Sequence, residues 1–374
     1  MKIAMVCPFF LPVVGGMEKH VYNLSRELVR KGHGVTVFTS KIGHDGKTLK
    51  KTEETIDGIR VRRYPPYFRI GRFASFWPQF TSELGNFDII HAHNLRHPHA
   101  EISLWKGKLS RIPVVLTPHS PYHEGTHSML QEGAIRLYDE VIGRFSLRNF
   151  DAIFALHKDE QNWLERRGVN REKIFIIPNG IEAVFFKHEM RSPRRSGILF
   201  VGRLNKVKGL DLLLRAFKRV IGRRKCRLSL IGPDGGYEGE LKRLAKDLGI
   251  ERNVYFQGEV SESKLISFLD SAEVFVLPSK YEPFGISLVE AMARQGACIA
   301  TNAGGPKWII RHGKNGLLVN YDEVEMANAI LKLLNDKKLA KTIGKKAAES
   351  ARRYSWKQLA SDAEAVYGKL VRKK

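Results

Sequence analysis

The chain reads KYEPFGISLVEAM over residues 280–292, and this stretch places two carboxylates, Glu282 and Glu290, eight positions apart. The apolar run at residues 274–277 before it predicts a buried parallel strand. The apolar residues that follow Gly285 recur at helical spacing, which predicts a helix. The two glutamates are therefore expected on either side of a strand-to-helix turn, at the carboxyl edge of a parallel sheet, where open α/β sheets bind ligands.

This turn has the chemistry of a site for a phosphate group that carries hydroxyls on both sides. Backbone N–H groups at Gly285 and Ile286 are expected to face an anion, because the first N–H groups of a helix have no partner within it. Carboxylates such as Glu282 and Glu290 accept hydrogen bonds from vicinal hydroxyls. A nucleoside diphosphate sugar contains both kinds of group. The alternative is that the two glutamates are solvated surface residues, and their spacing alone does not exclude it.

The rest of the chain alternates strand-like and helix-like segments in two halves. The first half opens with an apolar strand at residues 2–6, a loop, an amphipathic helix and a second strand at 35–38. The second half repeats this order from residue 197, with a loop that begins at Gly202 and a helix at 210–221. Such alternation predicts a parallel sheet covered by helices on both faces. Further strands are predicted at residues 59–62, 88–91, 114–117, 152–155, 227–231, 254–257 and 298–301. The predicted fold class is α/β, with two Rossmann-like, doubly wound parallel-sheet domains.

Composition narrows the class of partner more than it narrows the reaction. The 374 residues carry a formal net charge of +24, with 43% hydrophobic and 27% charged residues. A positive surplus of this size suits nucleic acid, an acidic membrane surface or phosphorylated substrates. It also fits a surface that is simply rich in lysine and arginine. No apolar run reaches the roughly 20 residues that a membrane-spanning helix needs. We therefore expect a cytoplasmic protein that is at most peripheral to the membrane.

Taken in order along the chain, these and other motifs resemble the retaining GT-B glycosyltransferases of family 4. The stretch at 280–292 is similar to the E-x7-E motif of that family. The opening segment resembles the branch that transfers N-acetylglucosamine to phosphatidylinositol. The other motifs that carry the resemblance are PVVGG at 12–16, RKGH at 30–33, DIIHAH at 88–93, TPH at 117–119, PNGI at 178–181, VGR at 201–203, KG at 208–209 and NG at 315–316.

The resemblance implies two domains that face a cleft. Residues 1–190 would bind the acceptor, residues 191–355 would bind the nucleotide sugar, and a helix within 356–374 would cross back to the N-terminal domain. The short, charged segment 191–197 is a linker by composition. The implied reaction moves a sugar from a UDP- or GDP-sugar to a hydroxyl of a lipid-linked or phosphate-bearing acceptor, with no bound cofactor. The sequence does not indicate an oligomeric state.

The resemblance also implies roles for individual residues. Arg203 and Lys208 would clamp the diphosphate, Glu290 would bind the ribose, and Glu282 and His119 would contact the transferred sugar. The implied catalytic residues are His119, Glu282, Arg203 and Lys208. The implied donor-binding residues are Gly15, Gly16, Gly202, Arg203, Lys208, Gly285, Ile286 and Glu290. Candidate acceptor contacts are Glu18, His20 and His93, each of which is equally compatible with a surface or structural role.

Two features bear on how the charge of the leaving diphosphate is met. No Asp-x-Asp motif occurs in the chain, so we expect a metal-independent reaction in which cations and helix N–H groups stabilise that charge. After Gly304 and Gly305 the family commonly has a glutamate three positions on, and this chain has Trp308. The donor contact made by that glutamate is therefore expected to be absent or replaced.

Two other functions remain open at this stage. A UDP-GlcNAc 2-epimerase would use the same pair of sheets, although the ordered Gly-Arg-x4-Lys and Glu-Pro-Phe-Gly motifs fit a transferase better. A basic nucleic-acid-binding protein would account for the charge. It would not account for the paired carboxylates, and no nucleic-acid-binding motif is present.

Residues Arg60–Phe80 alternate aromatic residues and arginines with prolines and a glycine. One interpretation is a loop at a membrane interface, where amphipathic rings and cations are both stabilised. In that case Arg69, Arg72, Phe73 and Trp77 would contact the headgroups. The other interpretation is a strand at 59–62 followed by aromatic residues that pack inside the domain. The sequence favours neither.

Overall fold

The computed structural model describes residues 1–13, 15–43, 46–70, 74–119, 129–187 and 195–372. The chain divides into two compact units, one formed by Met1–Gly180 with Trp356–Lys374 and the other by Ile181–Ser355. The break at Gly180 comes ahead of the charged segment 191–197, of which residues 191–194 lie outside the described residues. No helix in the described part of the chain combines the length and the hydropathy needed to cross a membrane.

The first unit is built on an eight-stranded sheet with the order β10-β9-β8-β7-β1-β2-β4-β3. Its strands, with a separate hairpin formed by β5 and β6, are β1 (Lys2–Cys7), β2 (Gly34–Ser40), β3 (Glu53–Ile56), β4 (Ile59–Tyr64), β5 (Phe68–Ile70), β6 (Ala74–Phe76), β7 (Ile89–His93), β8 (Val114–Thr117), β9 (Ala152–Ala155) and β10 (Ile174–Ile176). Its first helices are α1 (Gly16–Arg30), α2 (Pro98–Ser110), α3 (Met129–Tyr138), α4 (Arg144–Asn149) and α5 (Lys158–Arg166). One π-helical turn, Asp139–Gly143, joins α3 to α4.

The second unit is built on a six-stranded sheet with the order β13-β12-β11-β14-β15-β16, in which every pair is parallel. Its strands are β11 (Ile198–Val201), β12 (Leu228–Ile231), β13 (Val254–Gly258), β14 (Val274–Leu277), β15 (Ala297–Thr301) and β16 (Leu317–Val319). Its helices are α6 (Leu210–Ile221), α7 (Glu238–Asp247), α8 (Glu262–Ser271), α9 (Ile286–Ala293), α10 (Pro306–Ile309), α11 (Glu323–Asn335) and α12 (Lys337–Ala351). The prediction of two parallel α/β domains is confirmed.

The last helix, α13 (Trp356–Arg372), belongs to the first unit although it follows the second in the chain. Its apolar side packs into the same core as β1 and α1, with Trp356, Leu359 and Tyr367 all at most 5% exposed. The Tyr367 hydroxyl is hydrogen-bonded to His91 Nδ1 at 2.6 Å. The helix therefore completes the first core.

The aromatic stretch Arg60–Phe80 is mostly interior, which settles part of the choice left open by its sequence. The strand predicted at 59–62 is β4, and Trp77 and Phe80 are at most 1% exposed in the core beside it. The expectation that Trp77 contacts headgroups is therefore wrong, because its ring is enclosed. Arg72 and Phe73 lie outside the described residues, and the side chain of Arg69 is not described either. Exposed rings remain at Tyr67 and Phe68.

Candidate active site

The loop after β11 carries the two basic candidates of the second unit. Gly202 leaves the strand, the Arg203 side chain is exposed, and Lys208 is half-buried. Gly209 ends the loop in a left-handed conformation, with φ at 63°, and a Cβ there would come within 2.1 Å of the Pro278 carbonyl oxygen. Only glycine satisfies both the conformation and the space. The loop is therefore held against the end of β14.

Lys208 and Glu282 form an ion pair between these two loops. Lys208 Nζ lies 2.6 Å from Glu282 Oε2, and Ser279 Oγ donates to the same oxygen over 3.3 Å. The Lys280 N–H donates to the Val207 carbonyl oxygen over 2.8 Å and joins the loops a second time. Glu282 is only 8% exposed, so a nearly buried carboxylate has its counter-charge beside it. Sequence reasoning chose both residues but gave no signal for their direct contact.

Two glycines after β15 hold the main chain of Glu282. The Gly305 N–H donates to the Glu282 carbonyl oxygen over 2.8 Å, and a Cβ at Gly304 would lie 2.2 Å from that oxygen. The sequence analysis used this glycine pair only as a landmark, so its supporting role was missed. Trp308, the departure from the family pattern, lies in α10 and is 39% exposed. Its indole can donate but cannot accept a hydrogen bond as a carboxylate does.

The start of α9 lies directly after Glu282 in the chain. Gly285 turns the backbone into the helix with φ at 100°, and Ile286 is the first of its eight residues. The Val289 N–H donates to the Gly285 carbonyl oxygen over 3.1 Å, so the N–H groups before it have no acceptor within the helix. Glu290 lies in the second turn and is half-buried. This turn therefore offers an anion site at the carboxyl edge of β14, as its sequence predicts.

Three histidines from three elements come together at the carboxyl edge of the first sheet. His93 ends β7, His119 follows β8 with φ at 54°, and His20 projects from α1. His93 Nδ1 and His119 Nε2 are hydrogen-bonded at 3.1 Å, and the His20 and His119 ring centroids lie 4.8 Å apart, edge to face. His20 Nδ1 donates to Asn179 Oδ1 over 2.8 Å. The sequence analysis treated these histidines separately, because nothing in their spacing shows that they meet.

Burial keeps the histidines of this edge neutral. Loss of hydration lowers the pKa of His20 and of His97 to about 4, and that of His99 to about 3. The same cause, with the neighbouring histidines, holds the pKa of His91, His93 and His119 well below the usual range. Because His20 Nδ1 carries the proton, Nε2 is an acceptor, and neither it nor His93 Nε2 has a hydrogen-bond partner among the described residues. A hydroxyl donor is what such a nitrogen lacks.

Ring nitrogens of His20, His93 and His119 all lie within 4.8 Å of one another, and neutral imidazoles can ligate metals. With metal–nitrogen bonds of about 2.0–2.1 Å, two ligands of one ion are at most about 4.2 Å apart. A spread that reaches 4.8 Å would have to contract before an ion could bind all three rings. The arrangement alone therefore does not call for a metal.

The glycine pair before α1 has two different environments. A Cβ at Gly15 would lie 2.4 Å from Glu18 Oε2, whereas a Cβ at Gly16 would meet nothing within 4 Å. Gly15 thus accommodates the Glu18 carboxylate, and Gly16 leaves open space for a ligand. Glu18 and His20 are only 3% and 2% exposed. The alternative that these two are surface residues is therefore wrong.

Two family models match the chain, and together they extend over most of it. The model described as Glycosyltransferase Family 4 matches residues 14–184, and the model described as Glycosyl transferases group 1 matches residues 184–350. The boundary between the two matches falls close to the boundary between the two compact units.

Curated relatives match nearly end to end. The chain is 28% identical to a phosphatidyl-myo-inositol mannosyltransferase of Mycolicibacterium smegmatis, with 98% of this chain and 93% of the relative covered. It is 27% identical to a glycogen synthase of Mycobacterium tuberculosis, with 98% and 94% covered. It is also 27% identical to a phosphatidylinositol N-acetylglucosaminyltransferase of Arabidopsis thaliana, with 100% and 83% covered. The named products of these relatives differ widely.

Solved structures share the fold over the whole chain. A sucrose-phosphate synthase from Thermosynechococcus elongatus superposes with a TM-score of 0.80 at 22% identity, with both chains covered completely. HepE of Anabaena, in complex with UDP, superposes with a TM-score of 0.76 at 20% identity, with 99% and 100% covered. Identities this low establish the architecture alone.

Proposed function

This chain belongs to glycosyltransferase family 4 and has the GT-B architecture, and from that membership we propose that it moves a sugar from a UDP- or GDP-sugar, with retained anomeric configuration and without a metal, to a hydroxyl of a lipid-linked, phosphate-bearing acceptor. One observation carries the donor half of the proposal. The Lys208–Glu282 pair lies at the same sheet edge as the start of α9, so a cation, a carboxylate and helix N–H groups are available to a single sugar diphosphate.

In the proposed reaction the bond from the sugar C1 to the diphosphate oxygen breaks while the acceptor oxygen bonds to C1 on the same face. The acceptor proton passes to the departing phosphate oxygen. Arg203, Lys208 and the N–H groups at Gly285 and Ile286 stabilise the negative charge that grows on the diphosphate. Glu282 accepts hydrogen bonds from hydroxyls of the transferred sugar, and Glu290 accepts from the ribose.

The first unit is proposed to bind the acceptor and the outer face of the sugar. His119 and His93 are neutral at pH 7 because burial lowers their pKa values. Neutral rings next to a positively charged sugar carbon add no repulsion, whereas imidazolium ions would. The open side of Gly16 leaves room for the backbone to approach a ligand closely. His20, whose Nε2 is an acceptor, is proposed to bind an acceptor hydroxyl.

A lipid-linked acceptor is favoured by two properties of the chain. The net charge of +24 suits a substrate held at an anionic surface. Two of the relatives are named for transfer to phosphatidylinositol. The glycogen synthase relative acts on a soluble glucan by its name, which makes the soluble acceptor the alternative to test. A membrane-associated enzyme on the cytoplasmic face is the corresponding location.

The test is a transfer assay with the full chain, UDP- and GDP-sugars, and two matched acceptors. Phosphatidylinositol in detergent micelles is compared with free inositol, and the product's anomeric configuration is read by NMR. We expect an α-linked product from an α-linked donor, formed only with the lipid acceptor. An inverted product would contradict the retaining mechanism, and transfer to inositol alone would contradict the lipid acceptor. Conversion of UDP-GlcNAc to an epimer without any acceptor would instead identify an epimerase.

A further inference from the structure

Six large apolar side chains of the first unit are exposed on neighbouring helices. The most exposed are Leu109 on α2 at 82%, Leu137 on α3 at 67% and Val141 in the π-turn at 64%. These six residues form what we call the helical apolar patch: Trp105, Leu109, Leu137, Val141, Ile142 and Phe145. Single exposed apolar residues are normal, but a cluster on one side of a protein marks an interaction surface.

The spacing of these residues shows that they share one surface. Trp105 and Leu109 are four residues apart on α2, and Leu137, Val141 and Phe145 are four apart along the continuous α3–α4 run, so each set lies on one side of its helix. The Trp105 and Phe145 rings stack at 5.9 Å between centroids and 22° between planes, which joins the two sets. In the second unit the exposed apolar residues Tyr255, Trp308, Tyr321 and Val324 are less exposed, at 39–44%.

The charged residues around the patch are mainly basic. Arg136, Arg144 and Arg148 are exposed along the α3–α4 run. Of the acidic residues described in the same run, Asp139 is buried and paired with Arg96 at 2.7 Å, and Glu140 is paired with Arg144 at 3.3 Å. On α2, Lys106 and Lys108 add two further cations. Apolar side chains rimmed by arginine and lysine match the boundary between acyl chains and anionic headgroups.

We propose that the helical apolar patch is the surface on which this protein docks to an anionic bilayer leaflet. Its apolar side chains insert at the acyl boundary, and Arg136, Arg144 and Arg148 bind headgroup phosphates. The inference rests on the proposed lipid-linked acceptor, and it identifies the surface that meets the membrane. Both helices run back from the edge that carries His93 and His119, so a leaflet along their outer side lies beside the candidate acceptor site.

The patch is a better docking surface than the aromatic stretch singled out in the sequence. Among the described side chains of that stretch, the large exposed rings are Tyr67 and Phe68, while Trp77 and Phe80 are enclosed in the core. Two rings bury much less apolar area than six side chains, and binding to a membrane increases with that area.

The experiment measures binding of the full chain to vesicles without any donor or acceptor. Phosphatidylglycerol–phosphatidylcholine vesicles are compared with phosphatidylcholine vesicles by flotation. We expect binding to the anionic vesicles only, and a partition coefficient at least about tenfold lower for the double variant L137Q/V141Q, because two apolar side chains are lost from the interface. Both positions are more than 60% exposed, so the variant is expected to fold, and an unchanged melting temperature checks this.

Matched variants separate this surface from others. Val324→Gln, which changes an exposed apolar residue of the second unit, should bind vesicles as the wild type does, and Phe68→Gln tests the hairpin. Loss of binding in Phe68→Gln with retention in L137Q/V141Q would overturn the proposal, as would absence of wild-type binding at low salt. Light scattering addresses a second copy: a wild-type dimer that L137Q/V141Q converts to a monomer would show that the patch is a dimer interface. Transfer to a micellar acceptor is measured separately, so its failure is distinct from a failure to dock.

Discussion

At the scale of single residues, the contact between Lys208 and Glu282 determines what the donor meets on arrival. The lysine is proposed to bind the diphosphate, yet without ligand its Nζ lies 2.6 Å from Glu282 Oε2. An incoming diphosphate therefore competes with a carboxylate for the same cation, and the carboxylate that loses its partner becomes available to the sugar hydroxyls. The pair acts as a placeholder for the substrate.

Replacement of Lys208 tests the diphosphate contact. We expect Lys208→Ala to lower kcat/KM for transfer by about 100-fold or more, because the lost charge acts on the leaving diphosphate in the transition state. The matched control is Lys206→Ala, since Lys206 is only two residues away and pairs with Glu240 at 3.3 Å on the surface. That control should stay within about twofold of the wild type. Equal rates in the two variants would refute the assignment.

Replacement of the two glutamates separates sugar recognition from nucleotide recognition. Glu282→Gln removes the charge that holds Lys208, so free UDP or GDP should bind at least as tightly as in the wild type while transfer falls by about 100-fold. Glu290→Gln should weaken free nucleotide by about tenfold, because a charge-assisted hydrogen bond to the ribose is lost. Calorimetry with the free nucleotide and transfer kinetics measure both effects. If the two variants behave alike, the division of roles is wrong.

At the scale of secondary-structure elements, the turn between β15 and α10 positions a residue that it does not contain. A Cβ at Gly304 would lie 2.2 Å from the Glu282 carbonyl oxygen. We expect Gly304→Ala to lower transfer to a similar extent as Glu282→Gln, because the loop that carries Glu282 must move. Gly239→Ala is the control, since a Cβ there meets nothing within 4 Å, and its kinetics should match the wild type. Wild-type kinetics in Gly304→Ala would show that the loop tolerates the shift.

The carboxyl ends of β7 and β8 make the stability of the first unit sensitive to acid. Burial lowers the pKa of His20 and His97 from 6.5 to about 4. Such groups bind protons in the unfolded chain below pH 6.5 but in the folded chain only below about pH 4. Their contribution to stability is therefore complete above pH 6.5 and is lost as the pH falls from there towards 4, by about 1.4 kcal/mol per pH unit for each histidine.

We accordingly expect the melting temperature to be nearly constant from about pH 7 to 8 and to fall steeply between pH 6.5 and 4. His97→Gln should reduce that slope by the share of one histidine. Differential scanning calorimetry in buffers of equal ionic strength provides the measurement. A melting temperature that is flat across the acidic range would mean that these rings are protonated in the folded chain.

The elements that sequence alone could predict are those whose surroundings are uniform. The strand at 274–277 agrees residue for residue with β14, because a strand buried on both faces is apolar throughout. By contrast β3, Glu53–Ile56, is a half-exposed edge strand that pairs antiparallel with β4, and its polar sequence gave no signal. The same limit applied at the candidate site. Single residues such as His119 could be chosen, but contacts such as His20 with Asn179 join positions 159 residues apart.

At the scale of the whole molecule, the positive charge bears on the metal requirement. The net charge of +24 includes Arg203 and Lys208 at the proposed diphosphate site, and the chain has no Asp-x-Asp motif to hold a divalent ion. We expect EDTA to leave the transfer rate within about twofold, since protein cations meet the charge that a metal meets elsewhere. Loss of activity on chelation, restored by Zn²⁺ and absent in His20→Ala, would instead identify the three histidines as a metal site.

The position of α13 has a consequence for how the chain is made. A ribosome synthesises Trp356–Arg372 last, yet Trp356, Leu359 and Tyr367 fill the core begun by β1. The unit whose synthesis begins first is therefore the last that can be finished, while residues 181–355 emerge as one uninterrupted block. Until translation ends, the nascent first unit keeps an uncovered groove where α13 will lie. A ribosome that stalls after residue 355 would leave that apolar groove open to chaperones.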